Sequence, residues 1–190
     1  MAVPTEFTTL DISGKFVMNK TLSDSHDEIL AAQGISWMTR KAISLATITL
    51  SIKHYKDDQD VEHIDIDQTL TGGIKGTREE RTLWWKEREN SDHLFGPVVG
   101  KSRRVKDLSV VDPSDDWLKT GWTADSLEHG LVHSHVESDT PKSGKTWIGV
   151  QLWGMEEVNN ERRYTRHVHF TGPDAKVIRA RLVYDYIGAV

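Results

Sequence analysis

From residue 46 to the C-terminus the chain keeps a two-residue hydrophobic rhythm, with no helix expected between most of its strands. Ile48, Leu50 and Ile52 alternate with Thr47, Thr49, Ser51 and Lys53. After the polar turn 56–60, Ile64, Ile66 and Leu70 alternate with His63, Asp65, Asp67 and Thr69. Successive side chains of a strand point to opposite faces, so this is a hairpin with one apolar and one wet face. Further strands are expected over 78–87, 94–106, 129–137, 145–155, 162–171 and 177–186. Most are separated by turn chemistry, at 139–144, 158–160 and 172–174. Some nine or ten evenly spaced strands favour a sandwich or an up-and-down barrel.

Helices are expected only near the start. A first strand over 12–22 puts Phe16 and Met18 on one face and Lys15 and Val17 on the other. Ser23-Asp24 then has the chemistry of a helix start, with Asp27 and Glu28 in the first turn, Ile29 and Leu30 as the apolar stripe and Gly34 as the stop. A second helix over 35–45 would bury Ile35, Met38, Ala42 and Leu45. Residues 1–11 read as a short arm. Residues 107–128 interrupt the strand rhythm and carry Trp117 and Trp122. A long loop in a compact domain is usually functional or disordered, and the aromatics argue against disorder, so this stretch reads as an inserted flap.

Composition narrows the function classes. The 190 residues contain no cysteine, which excludes disulfides, thiolate metal sites and cysteine nucleophiles. Lys and Arg total 24 against 29 Asp and Glu, a formal charge of −5 that argues against a nucleic-acid partner. No apolar run approaches the ~18 residues of a membrane span, and residues 1–7 lack the pattern of a secretory signal. The expectation is one cytoplasmic domain over 1–190, with its oligomeric state open.

The order of elements resembles a known family. Gly14-Lys15-Phe16 opens a strand and is followed by Asp27-Glu28-Ile29-Leu30-Ala31-Ala32-Gln33-Gly34-Ile35. Met38-Thr39-Arg40-Lys41-Ala42 comes next, and Arg181-Leu182-Val183-Tyr184-Asp185 closes the chain. This is similar to the intracellular lipid-binding proteins, the fatty-acid- and retinoid-binding family of the calycins, most strongly over 12–55. The resemblance implies a mostly β fold: a closed antiparallel up-and-down β-barrel of about ten strands, capped by a helix-turn-helix lid at 23–45. A ligand would lie inside, with the lid gating entry. The family holds a carboxylate with two arginines and a tyrosine. Here the tyrosine is kept as Tyr184, while Leu182 stands at one arginine position and the other falls near Gln151. The resemblance therefore implies a neutral or weakly polar ligand.

Other side chains could add chemistry. His133-Ser134-His135 and His167-Val168-His169 each place two imidazoles on one strand face, a geometry that can hold zinc. The intervening strand separates the pairs by roughly 9–10 Å, so no metal site is expected. Tyr164, Val168 and Phe170 share the apolar face of their strand, which turns His167 and His169 outward towards solvent and brings Arg166 inward. A buried Arg requires an acceptor, from a salt bridge or a ligand. The facing of His133 and His135 stays open. Trp37, Met38, Trp85, Trp147, Gln151, Trp153, Arg166 and Tyr184 are the candidate ligand contacts. Walker, Gly-x-Ser-x-Gly and His-Glu-x-x-His patterns are lacking.

Two functions follow as expectations, neither with a cofactor. One is binding and carriage of a small hydrophobic ligand, a lipid, isoprenoid or polyketide-like molecule. The other is an enzyme on the same barrel that cyclises, isomerises or dehydrates such a substrate, with His133, His135 and Tyr184 as catalytic candidates. A haem barrel would need one interior His as axial ligand.

Overall fold

The computed structural model describes residues 1–72 and 74–190. Ten strands form one antiparallel sheet: β1 (Gly14–Met18), β2 (Ile48–Lys56), β3 (Glu62–Leu70), β4 (Arg78–Thr82), β5 (Arg88–Asp92), β6 (Gly96–Val105), β7 (Leu131–Ser138), β8 (Ile148–Val158), β9 (Glu161–Thr171) and β10 (Val177–Gly188). Their order is β4-β3-β2-β1-β10-β9-β8-β7-β6-β5. Because β1 pairs with both β2 and β10, Phe16 lies opposite Leu50 on one side and Tyr186 on the other, and the sheet curls. The expected closure is not made by a ladder: among the described residues β4 and β5 do not pair. Contacts cross that seam instead. Arg81 Nη1 donates to Ser134 Oγ at 2.9 Å, and the Trp85 N–H donates to the Ser102 carbonyl at 2.8 Å.

The strand expected over 78–87 ends at Thr82. Trp85 takes φ +57°, a conformation a bulky residue rarely adopts, and this turns the chain before β5.

Among the described residues five α-helices accompany the sheet: α1 (Asp27–Ala32), α2 (Trp37–Leu45), α3 (Asp116–Lys119), α4 (Ala124–His129) and α5 (Thr140–Ser143). The lid hairpin α1–α2 starts later than its sequence signals imply. Ser23 and Asp24 do not cap a helix. They accept the N–H groups of Val183 and Arg181 on β10, both at 2.8 Å. Ser36 caps α2 by accepting the Thr39 N–H at 3.2 Å. The expected stripe of α2 is also corrected. Ile35 and Ile43 are buried, while Trp37, Met38 and Leu45 are 68%, 76% and 74% exposed.

The end of the sheet away from the lid is solid. Ile12, Phe16, Ile52, Ile64, Ile66, Met155 and Tyr164 pack there as part of one cluster. The N-terminal arm closes this end: the Ile12 N–H donates to His54 Nδ1 at 3.1 Å, and Arg104 reaches from β6 to Glu62 on β3 and to the Thr9 carbonyl.

Strands β7–β9 are buried on both faces. Residues 107–128 lie across their outer side, where Val111, Leu118 and Trp122 pack on Val105, Leu131, Val150 and Leu152. His167 and His169 do point outward, but into this second core rather than into water, and they are 2% and 7% exposed. No helix among the described residues is long and apolar enough to cross a membrane.

Candidate functional site

A cavity of about 970 Å³ separates the lid from the packed end. Its upper wall is apolar, with Ile29, Leu30 and Ile43 from the lid and Trp147, Val168 and Phe170 from the sheet. Its floor is polar, and strand alternation explains why. On β9, Tyr164, Arg166, Val168 and Phe170 face inward. The ladders place Trp153 of β8 and Leu182 of β10 on either side of Arg166, and Tyr184 beside Tyr164.

Arg166 is 4% exposed. Its guanidinium lies 4.0 Å from the Trp153 ring centre and about 5.5 Å from that of Tyr184. Nε donates to Tyr164 Oη at 3.0 Å, Nη1 is 3.6 Å from Glu79 Oε1, and Nη2 is buried without a hydrogen-bond partner among the described residues. Glu79 is already engaged: Arg81 donates to its Oε2 from Nη2 at 2.7 Å and from Nε at 3.2 Å. Burial would push the Glu79 carboxyl up, but Arg81 and Arg166 outweigh it and hold the group below its usual range. Burial likewise works against the Arg166 charge, and Tyr164, Tyr184 and Glu79 more than offset it. The Tyr184 hydroxyl is pushed up, chiefly by burial. Gln151 lines the cavity and uses its Oε1 to accept from Trp153 Nε1 at 2.9 Å, and its NH2 makes no hydrogen bond among the described residues.

The structure thus brings Gln151, Arg166 and Tyr184 to one floor, with Trp153 packed behind the guanidinium. Trp147 lies on the upper wall of the same cavity. The remaining sequence candidates lie elsewhere. Trp37 and Met38 sit on the solvent side of α2. Trp85 lies outside the sheet, 4.7 Å from the His133 ring and 4.0 Å from the Arg103 guanidinium. On β7 the inward phase belongs to Val136 and Ser134, so His133 and His135 face outward. Arg103 Nε donates to His133 Nδ1 at 3.2 Å, and His135 lies 3.4 Å from Glu137. Among the described residues the imidazoles on the cavity are His26 of the lid and His93 between β5 and β6. No group of three His, Asp or Glu side chains is placed to hold a metal ion among them.

Glu79 and Arg81 escape sequence reasoning. Their strand reads Arg-Glu-Glu-Arg-Thr, with no apolar phase to say which face is inside.

No family model matches the chain. Solved structures do. A fatty-acid-binding protein of Schistosoma mansoni in complex with arachidonic acid superposes with TM-score 0.53 at 13% identity, covering 92% of this chain and 95% of that one. A fatty-acid-binding protein from Drosophila melanogaster brain tissue gives 0.52 at 16%, covering 92% and 99%. The chain has the fatty-acid-binding-protein fold. Similarity along the sequence leads elsewhere. Pericyclase pydY of an Acremonium species is 29% identical over 195 residues, 99% of this chain and 98% of the relative. Probable pericyclase scpY of Mollisia scopiformis is 27% identical over 191 residues, 98% and 95% of the two chains.

Proposed function

We propose that this chain is a pericyclase: it folds a flexible, largely apolar substrate inside the cavity and promotes a concerted ring closure there. The observation that carries this reading is Arg166, a buried cation whose Nη2 has no partner among the described residues, at the polar floor of a cavity whose lid end is apolar. Two relatives matched over nearly their whole length are named pericyclases, which supports it.

A pericyclic step moves π electrons within the substrate and asks no nucleophile of the protein. The protein's contribution is then geometry and field. Confinement between Phe170, Trp147 and the lid holds the reacting carbons near each other, and such positioning is worth up to about 7–11 kcal/mol in well-oriented systems. A fixed guanidinium beside a conjugated carbonyl draws electron density from the adjoining double bond and makes it a better partner for an electron-rich diene. Being preorganised, it needs no rearrangement as the reaction proceeds. In this reading the curled sheet acts as the vessel, α1–α2 gate it, and Tyr184 and Gln151 share the polar head of the substrate with Arg166.

The test is incubation of the purified protein with linear polyenes conjugated to a carbonyl, followed by chromatography and mass spectrometry. The expected product is an isomer of unchanged mass, formed at least about tenfold more slowly by Arg166→Met. Uptake without conversion would instead support carriage of the ligand.

A further inference from the structure

The geometry points to a second polar contact at the lid end of the cavity, where the side-chain amide of Gln33 takes a neutral hydrogen-bonding group, a hydroxyl or a carboxamide, at the tail of the substrate. This rests on the reading of the cavity as a substrate site and names what its far end recognises.

The face that α1 turns to the cavity carries His26, Ile29, Leu30 and Gln33, at the spacing of one helix side. Ile29 and Leu30 pack as lid residues should, and Ile29 joins Trp147, Val168 and Phe170 in one cluster. The polar ends of the face differ. His26 is half-buried, so solvent can partner its ring. Gln33 is 9% exposed, and its amide makes no hydrogen bond among the described residues. The fold does not call for that amide. Gln33 closes α1 through its backbone, whose N–H donates to the Ile29 carbonyl at 2.9 Å. A buried amide without a partner is costly, and a leucine would serve the packing better. The amide is also not sealed, unlike Nη2 of Arg166: what surface it keeps lies on the cavity it lines.

The chemistry of the partner follows. An amide offers donors and an acceptor but no charge, so it suits a neutral group that can give and take a hydrogen bond. An ion there would be buried without a countercharge.

The length and breadth of the guest follow from the sheet. From Arg166 to Phe170 is four residues of β9, roughly 13 Å. The end of α1 lies just beyond, since a Cβ added at Gly172 would be 3.3 Å from Ala32 Cβ. Gly149 pairs with Phe170 on the same wall and lines the cavity, and a Cβ there would meet nothing closer than 3.8 Å. The wall is thus cut back at the level of Phe170, where a chain doubled over for ring closure is widest. The substrate is polar at both ends and folds between them.

The test uses unreactive esters of one chain length, so that binding is read apart from conversion: methyl dodecanoate, methyl 12-hydroxydodecanoate and methyl 8-hydroxydodecanoate, each displacing fluorescent methyl parinarate from the full chain. The terminal alcohol should bind within about threefold of the unsubstituted ester, and the mid-chain alcohol at least about tenfold more weakly, because its hydroxyl is buried without a partner. Gln33→Leu should make the terminal alcohol lose about tenfold against methyl dodecanoate and leave the mid-chain ratio where it was. Its urea midpoint should stay or rise, which an amide held by the protein itself would not allow. If the variant does not fold, the comparison of the two alcohols on the parent decides. Equal penalties for both alcohols, a terminal alcohol unmoved by Gln33→Leu, or a lowered urea midpoint overturns the lid contact and leaves the ring-closure reading intact. No uptake of methyl parinarate or of any ester overturns the substrate cavity itself, and the lid contact with it.

Discussion

Nε2 of His167 lies 3.0 Å from Oε2 of Glu156 on the outside of the sheet. This pair backs the same stretch of wall that presents Arg166 and Trp153 to the cavity. His167 is stacked by Trp117 at 4.8 Å and touched by Trp122 at 4.3 Å, and its Nδ1 donates to the Trp117 carbonyl at 2.9 Å. Nε2 and Oε2 are both buried and make no hydrogen bond to other groups among the described residues, so each has only the other beside it. The insertion at 107–128 is therefore fastened to the back of the floor-bearing strands and does not cover the cavity mouth.

Separating this pair should be costly. Removing one of two facing buried polar groups typically costs about 1–3 kcal/mol, because the other is left without a partner. Glu156→Ala and His167→Ala should each fall in that range by urea unfolding. The double variant should cost less than their sum, with a coupling above about 1 kcal/mol. Additive losses would show that the two side chains do not act together.

Gly154 tests the same junction from the strand side. A Cβ there would lie 2.6 Å from Leu131 Cδ2 and 3.0 Å from Trp122 Cε3, so Gly154→Ala must displace the insertion. A loss of about 1–3 kcal/mol is expected, with a shift in tryptophan emission as Trp122 moves. Gly149 lies on the cavity side, where a Cβ would meet its nearest atoms at 3.8 Å. Gly149→Ala should stay within about 0.5 kcal/mol of the parent. Equal effects of the two changes would refute the packing described for the insertion.

Acid should weaken the fold through His133. Burial first, and the neighbouring Arg103 second, lower its pKa from 6.5 to about 3. Below pH 6.5 the unfolded chain takes up a proton that the folded chain refuses, so stability is lost progressively as pH falls from 6.5 towards 3. At pH 5 this group accounts for about 2 kcal/mol. His133→Gln keeps an acceptor for Arg103 and does not titrate. Its stability difference between pH 7 and pH 5 should be smaller by about that amount. An identical pH dependence in both proteins would remove His133 as the cause.

Much of the fold is legible in the sequence because β2 and β3 bury one face only, and Ile48, Leu50, Ile52, Ile64 and Ile66 mark it without ambiguity. The same rhythm on β9 turns Arg166 inward alongside Tyr164 and Val168. Legibility fails where both faces are covered. On β7, Leu131, Val132, His133 and Ser134 are all buried, so alternation carries no phase and the facing of the histidines cannot be read. It fails again on α2, where Trp37, Met38, Ile43 and Leu45 are apolar nearly all round and allow more than one stripe. Trp85 is lost for a different reason: a turn with positive φ breaks the strand that would have carried it inward.

The lid gives the last test, because the two stripes of α2 predict opposite outcomes. Ile43 is 5% exposed, packs with Ile48 and lines the cavity, whereas Met38 is 76% exposed. Ile43→Ala removes buried methyl groups and should cost about 2 kcal/mol or more. It should also speed release of a bound polyene probe, since the lid loses its hold on the sheet. Trp37→Gln and Met38→Gln alter only solvent-facing surface and should change stability by less than about 0.5 kcal/mol, leaving the release rate as it was. Stopped-flow fluorescence of the bound probe reads the rate, and urea unfolding reads the stability. If Met38→Gln accelerated release and Ile43→Ala did not, the lid would sit on the sheet by the face the sequence pattern implies, and Ile43 would not be its contact with the cavity.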